Sequence, residues 1–177
     1  MTPKINFKEF YEEYGREWAK DSRKNLEIVS SQWKVENVSS LLKKHPEVKI
    51  KTILDYGCGP AYFLSNLCKN MKFKKMYGCD LSLSMLKLAK KNFPIAEYYN
   101  VVDLSKFNKN VDIIFFMDVL EHVPNPEEIL NQSKLISKYQ FIKIPLEDAF
   151  LVNLIKILGF NKISKEGHIN FWKKKSF

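Results

Sequence analysis

Residues 53–64 read ILDYGCGPAYFL: two apolar residues, Asp55, then Gly57 and Gly59 around Cys58, then a second apolar stretch. A strand that ends in a glycine turn and feeds a helix is a place to hold a nucleotide, because the turn brings backbone close to the ligand. A phosphate-binding P-loop needs GxxxxGK followed by Ser or Thr, and neither lysine nor hydroxyl follows these glycines at that spacing. A dinucleotide fingerprint, GxGxxG anchored at Gly57, would require glycine where Tyr62 stands. Asp55 would sit badly beside a pyrophosphate and well beside a positive charge. The second informative segment is YGCDLSLSML, where Asp80 ends the next apolar run, 23 positions after Gly57. An acid there can accept hydrogen bonds from both ribose hydroxyls. The ligand implied has a ribose, favours an acid near its other end and shows no sign of phosphate. S-adenosylmethionine, with its adenosine, sulfonium and ammonium-bearing tail, has those properties.

These residues need elements to position them. Short apolar runs occur at 51–57, 74–80, 96–103, 111–118 and 139–145, separated by AYFLSNLCKN, SLSMLKLAKKN and NPEEILNQSKLIS, each with helical spacing. Strands alternating with helices, and apolar throughout, predict a parallel sheet covered on both faces. Right-handed crossovers then put the glycine turn at the carboxyl edge of the sheet. Upstream, residues 5–44 carry apolar positions three and four apart, with breaks expected at Gly15 and at Asp21-Ser22. The expected division is an N-terminal helical lid segment, 1–46, and a core, 47–177.

In order, ILDYGCGPAYFL, YGCDLSLSMLKLAKK, the acid of VVDL and VDIIFFMDVLEHVPNPEEIL span roughly residues 50–147. Together they resemble the class I S-adenosylmethionine-dependent methyltransferases, most closely the small-molecule branch typified by ubiquinone-biosynthesis enzymes. The resemblance implies a Rossmann-like three-layer sandwich. It also implies methyl transfer to a small-molecule acceptor by in-line displacement, with S-adenosylhomocysteine as product. By that resemblance Asp55 faces the methionine ammonium, and the backbone of Gly57, Cys58 and Gly59 lies against the methionine tail. Asp80 holds the ribose hydroxyls and Leu81 packs on adenine. Asp103 accepts from the adenine amino group, the Leu104 amide reaches a ring nitrogen, and Met117 lies beneath the methionine moiety. Tyr14 is the expected contact from the lid. His122 and His168 are the candidate catalytic bases. Ala61 stands where the family motif often has a third glycine.

Such enzymes have seven strands in the order 3-2-1-4-5-7-6. Only five are placed here, followed by a helical DAFLVNLIKILGF and the segment GHINFW. A sheet without its last two strands would leave 139–145 as an edge, so either a second copy in a homodimer or the HINFW segment is expected to cover it. The net charge of +9 raises the question of nucleic acid, but only Arg16 and Arg23 are arginines and the lysines are scattered. MDVLEHV also stands where amino-methylating nucleic-acid enzymes carry Asn/Asp-Pro-Pro-Tyr/Phe. An RNA methyltransferase and a non-catalytic homologue or fragment remain the alternatives. No run is long and apolar enough for a membrane span, no signal peptide is expected, and three unpaired cysteines fit a cytoplasmic protein without a structural metal.

Overall fold

The computed structural model describes residues 7–18, 24–101, 103–145, 170 and 172. Five strands, β1 (Thr52–Tyr56), β2 (Lys75–Cys79), β3 (Glu97–Tyr99), β4 (Val111–Met117) and β5 (Ser137–Lys143), form one sheet in the order β3-β2-β1-β4-β5. All four pairings are parallel. The helices are α1 (Phe7–Trp18), α2 (Lys24–Lys44), α3 (Tyr62–Asn70), α4 (Leu83–Asn92) and α5 (Pro126–Ile136), with single 3-10 turns at Leu104–Lys106 and Leu120–His122. The expected α/β sandwich is therefore present.

Alternation along the strands divides the core into two layers. On one face Ile53, Ile113 and Phe115 pack with Val35 and Val38 of α2, Leu64 and Leu67 of α3, and Leu86 and Ala89 of α4. On the other, Leu54, Tyr56, Ile114 and Phe116 pack with Leu104, Leu120 and Ile129. Leu54, Ile53, Ile114, Phe115 and Phe116 have no exposed surface. That is why these strands read as continuous apolar runs rather than alternating ones. α2 thus belongs to the covered sandwich, fastened to α3 by a buried Asn66–Ser31 hydrogen bond of 2.6 Å.

Helix starts follow local chemistry. Ser82 caps α4 by accepting from the Met85 amide at 3.2 Å, and Asn125 caps α5 ahead of Pro126 and two glutamates. At the amino edge of the sheet, Asp112 accepts from the amides of Lys51 and Thr52 and from the Thr52 hydroxyl, while Lys138 pairs with its other oxygen. One carboxylate thereby ties the starts of β1, β4 and β5.

Two expected boundaries are corrected. Gly15 does not break the first helix: α1 runs through it. A methyl group there would lie 2.5 Å from the Ser82 hydroxyl oxygen, so this glycine is where α1 crosses the start of α4. β5 begins at Ser137, directly after α5, because edge position relieves Ser137 and Lys138 of any need to be apolar. The expected helix after Pro145, the absence of further strands and His168 lie outside the described residues. Asn170 and Trp172 are described. Asn170 donates to Leu120 and Val123 carbonyls, and Trp172 packs on the α5-side cluster.

Candidate functional site

The carboxyl ends of β1, β2 and β4 meet the N-termini of α3 and α4 at a cleft. At its floor β1 delivers Asp55, paired in register with Gly78 of β2 and Phe115 of β4. Asp55 is buried, and burial drives its pKa up from the ordinary carboxyl value to about 8, with Lys34 opposing and Asp80 adding to the rise. The chain then turns. Gly57 (φ +73) and Gly59 (φ +48) take left-handed conformations, and the Gly57 and Cys58 amides both donate to the Cys79 carbonyl, at 2.8 and 2.9 Å. A methyl at Gly57 would sit 2.5 Å from Val119, whereas one at Gly59 would meet nothing within 4 Å. Gly57 is thus a packing requirement, and Gly59 borders open space. Ala61 is also left-handed, with φ +61, and its methyl is buried in the core. Glycine would take that backbone at less cost; alanine contributes packing there.

Asp80 closes the cleft from β2. Its two oxygens accept from the Gly59 amide (2.9 Å) and the Ser82 amide (2.8 Å), which lock the carboxylate against the glycine turn. Burial nevertheless pushes its pKa up. Ser82, not Asp80, is the helix cap. Leu81 is half-buried beside it, and Asn100 donates to the Asp80 and Leu81 carbonyls. Asp80 adds to the rise in the Asp55 pKa, and both acids stand at the carboxyl ends of neighbouring strands.

The remaining expected residues fall around this pair with different commitments. Met117 is buried at the end of β4 in the same cluster as Cys58. Asp103 heads its 3-10 turn, one oxygen accepting from the Ser105 amide and hydroxyl, the other 3.7 Å from Lys106. The Leu104 amide already donates to Gln132 at 2.9 Å. Tyr14 is exposed on α1, and its ring meets Tyr11 edge-on. The His122 ring also meets Tyr11 edge-on, with centroids 6.1 Å apart. Cys58 and Cys79 are buried, and burial raises both thiols well above their usual range.

Several residues not singled out in the sequence lie around these acids. Glu12 of α1 accepts from the Ser82 hydroxyl (3.0 Å), the Ser84 amide (3.4 Å) and the Ser84 hydroxyl, latching α1 onto the start of α4. Lys34 of α2 pairs with Asp118 at 3.1 Å, and Lys143 of β5 pairs with it from the other side. Those contacts hold Asp118 at φ +58, directly after β4. Glu121 is buried, its pKa raised to about 7 by burial. Glu12 and Lys34 gain their partners from segments far apart in the chain, so no local spacing could have revealed them, whereas Asp118 and Glu121 stand in the DVLEHV block.

A methyltransferase-domain family model matches residues 20–177. The mitochondrial ubiquinone biosynthesis O-methyltransferase of Saccharomyces cerevisiae is 32% identical over 136 residues, which cover 73% of this chain and 39% of that protein. A tRNA U34 carboxymethyltransferase of Aliarcobacter butzleri is 26% identical over 116 residues, 62% of this chain and 38% of that one. The chain thus spans about two-fifths of the length of these curated relatives. Among solved structures, magnesium protoporphyrin IX methyltransferase from Synechocystis PCC 6803 with bound SAM superposes with a TM-score of 0.62 at 19% identity, covering 91% of this chain and 88% of that one. The plantazolicin methyltransferase BpumL gives 0.60 at 22% identity, covering 69% and 48%. The fold and the family match agree: the chain belongs to the methyltransferase-domain family.

Proposed function

We propose that this chain binds S-adenosylmethionine between the glycine turn and the end of β2 and catalyses transfer of its methyl group to a small-molecule acceptor. The observation that carries the reading is the pair of acids, Asp55 and Asp80, converging from neighbouring strands on a left-handed glycine turn. Two carboxylates repel a phosphate and attract a cation. Asp55 is costly to bury as a charge, and a cationic ligand would stabilise its ionised form. The residues present therefore fit a sulfonium compound with an ammonium tail. When bound, it supplies a methyl group already activated for displacement.

The chain's tasks are then to hold, align and exclude water. Asp55 takes the ammonium, the open side of Gly59 admits the methionine tail, and Asp80, locked by two amides, presents its remaining lone pairs to the ribose. Leu81 packs against adenine, and the Asp103 oxygen near Lys106 receives the amino group. The Leu104 amide serves a ring nitrogen only if Gln132 swings away. Met117 forms the floor, and α1, with Tyr14, is the lid. His122 faces the acceptor side. The names of the yeast relative, an O-methyltransferase, and of neighbours crystallised with SAM or SAH support this assignment. Calorimetry with S-adenosylmethionine tests it. Saturable binding that Asp80→Ala abolishes is expected, and absence of heat and of thermal protection in the wild type would overturn it.

A second reading, methylation of RNA, is favoured by the tRNA-modifying relative and by the +9 charge. Phosphate contacts release counterions, so it requires RNA binding that weakens steeply with salt. We expect none. The acceptor is small, the setting is the cytoplasm, and the outer edge of β5 is where a second copy would pair. Among the described residues no helix is long and apolar enough to cross a membrane.

A further inference from the structure

A groove of about 890 Å³ opens at the amino edge of the sheet, the opposite end from the glycine turn. That volume lies within the range of small-molecule sites. The C-terminal half of α2, the connection from α2 to β1 and the end of α3 enclose it. Its floor is an extension of the core. Val35 is buried, and Leu42, Ile50 and Met71 are partly buried against the same cluster. The apolar part of the lining is aliphatic or thioether and holds no aromatic side chain. Such walls suit an aliphatic guest, and a methionine adapts to its shape.

The polar part of the lining is cationic: Lys43, Lys49 and Lys51 stand against one acid, Glu36. Among the described residues none of the three lysines forms an ion pair, and the other carboxylates nearby are committed. Glu47 bonds His45 at 3.1 Å, and Asp112 accepts from the Lys51 and Thr52 amides and pairs with Lys138. The amides of Lys74 and Lys75 both donate to the Lys51 carbonyl, which brings two more lysines to this edge. Lys43 complements the dipole at the end of α2. Lys49 and Lys51 lie beyond the helix and have no such role. The wall also holds an orphan. Ser39 lines the groove, one turn from Lys43 on the same face of α2, and its hydroxyl is buried without a hydrogen-bond partner. Its helical setting does not impose this, because Ser31 on the same helix donates to the Ile28 carbonyl at 2.7 Å. Native proteins seldom leave such a group unpaired.

We propose that this groove is a second ligand site, and that it takes an aliphatic carboxylate. The hydrocarbon chain lies on Leu42, Ile50 and Met71. The carboxylate meets Lys43 and Lys49 and accepts from the Ser39 hydroxyl, which turns to it by rotation about one bond. A small inorganic anion would satisfy the lysines and leave the floor wet. A neutral alcohol would cover the floor and leave the lysines unpaired, and an ammonium would be repelled. The site is separate from the Asp55–Asp80 cleft and does not depend on the cofactor reading.

Calorimetry of the full chain with octanoate, 1-octanol and inorganic phosphate tests this. Octanoate is expected to bind at least roughly 10-fold more tightly than either of the others, the equivalent of about 1.4 kcal/mol. Reversing two charges together, Lys43→Glu with Lys49→Glu, should bring octanoate and octanol to roughly equal affinity. Both side chains are exposed, so the melting temperature should stay near that of the wild type. Ser39→Ala should weaken octanoate binding by roughly threefold or more without lowering the melting temperature, since the lost hydroxyl had no partner. Amide shifts on adding octanoate should fall at residues 39–51 and 70–71. Equal wild-type affinities for octanoate and octanol, or a preference that survives charge reversal, would overturn the site. So would phosphate binding as tightly as octanoate, which marks a bare patch of lysines, or shifts centred on residues 55–59 and 80, which place the probe in the other cleft.

Discussion

At the scale of single residues, Asp55 has a measurable signature. Its folded-state pKa, about 8, lies above the ordinary carboxyl value, so ionisation favours the unfolded chain. The stability it contributes in protonated form is whole in acid and is lost as pH rises from about 4 towards 8. Asp55→Asn should therefore raise Tm, and raise it more at about pH 8 than at about pH 5. The same change should weaken S-adenosylmethionine binding by roughly 10-fold or more, because a charge-assisted contact is lost. The wild-type affinity should itself tighten as pH climbs towards 8. A variant that is both more stable and less able to bind is the pattern expected of a group kept for function. The two turn glycines should behave differently. Gly57→Ala meets Val119 as well as a left-handed backbone, and should cost about 2–4 kcal/mol in a melt. Gly59→Ala should cost only about 1–2 kcal/mol while intruding into the ligand's space. Asp55 and Asp80 were legible because their offsets from the glycines are themselves the signal. Glu12 and Lys34 were not, since each acquires meaning only from a partner in a distant segment.

At the scale of elements, the latch between α1 and α4 fastens the N-terminal helix to the sandwich. A carboxylate at the start of α4 is favoured by the helix's unsatisfied amides and by their summed dipole. Gly15 lets the two helices approach closely enough for Glu12 to reach them. Gly15→Ala should loosen α1 locally. Amide exchange over residues 7–18 should accelerate markedly while the unfolding midpoint of the sheet shifts by less than about 1 kcal/mol. Equal acceleration across β1 and β4 would show that α1 is part of the global unit instead. The sequence placed β1, β2 and β4 because a parallel strand buried on both faces must be apolar, and the edge strands β3 and β5 by their short apolar runs. It misread Gly15, since a glycine within a helical pattern looks the same whether it ends the helix or allows another helix to touch it. It also began β5 two residues late, because an exposed edge imposes no apolar requirement on Ser137 and Lys138.

At the scale of the molecule, the sheet separates fastening from chemistry. Asp112 fastens β1, β4 and β5 at the amino edge, while every proposed cofactor contact lies at the carboxyl edge or beyond it. Hydrogen bonds from the Lys51 amide and other donors hold the Asp112 pKa down to about 2. Its contribution is therefore full above the ordinary carboxyl pKa and is lost as pH falls from about 4 to about 2. Asp112→Asn should lower stability by about 1–3 kcal/mol at neutral pH and flatten the acid limb of the stability profile, with S-adenosylmethionine affinity unchanged.

Cys58 and Cys79 sit on the two strand ends that the glycine turn staples together, sealed from solvent and held as unreactive thiols. An alkylating reagent can reach them only while that staple is undone. Their modification rate is thus a built-in clock for opening of the glycine turn, and it should slow in proportion to occupancy when S-adenosylmethionine is added, if the proposed binding site is right.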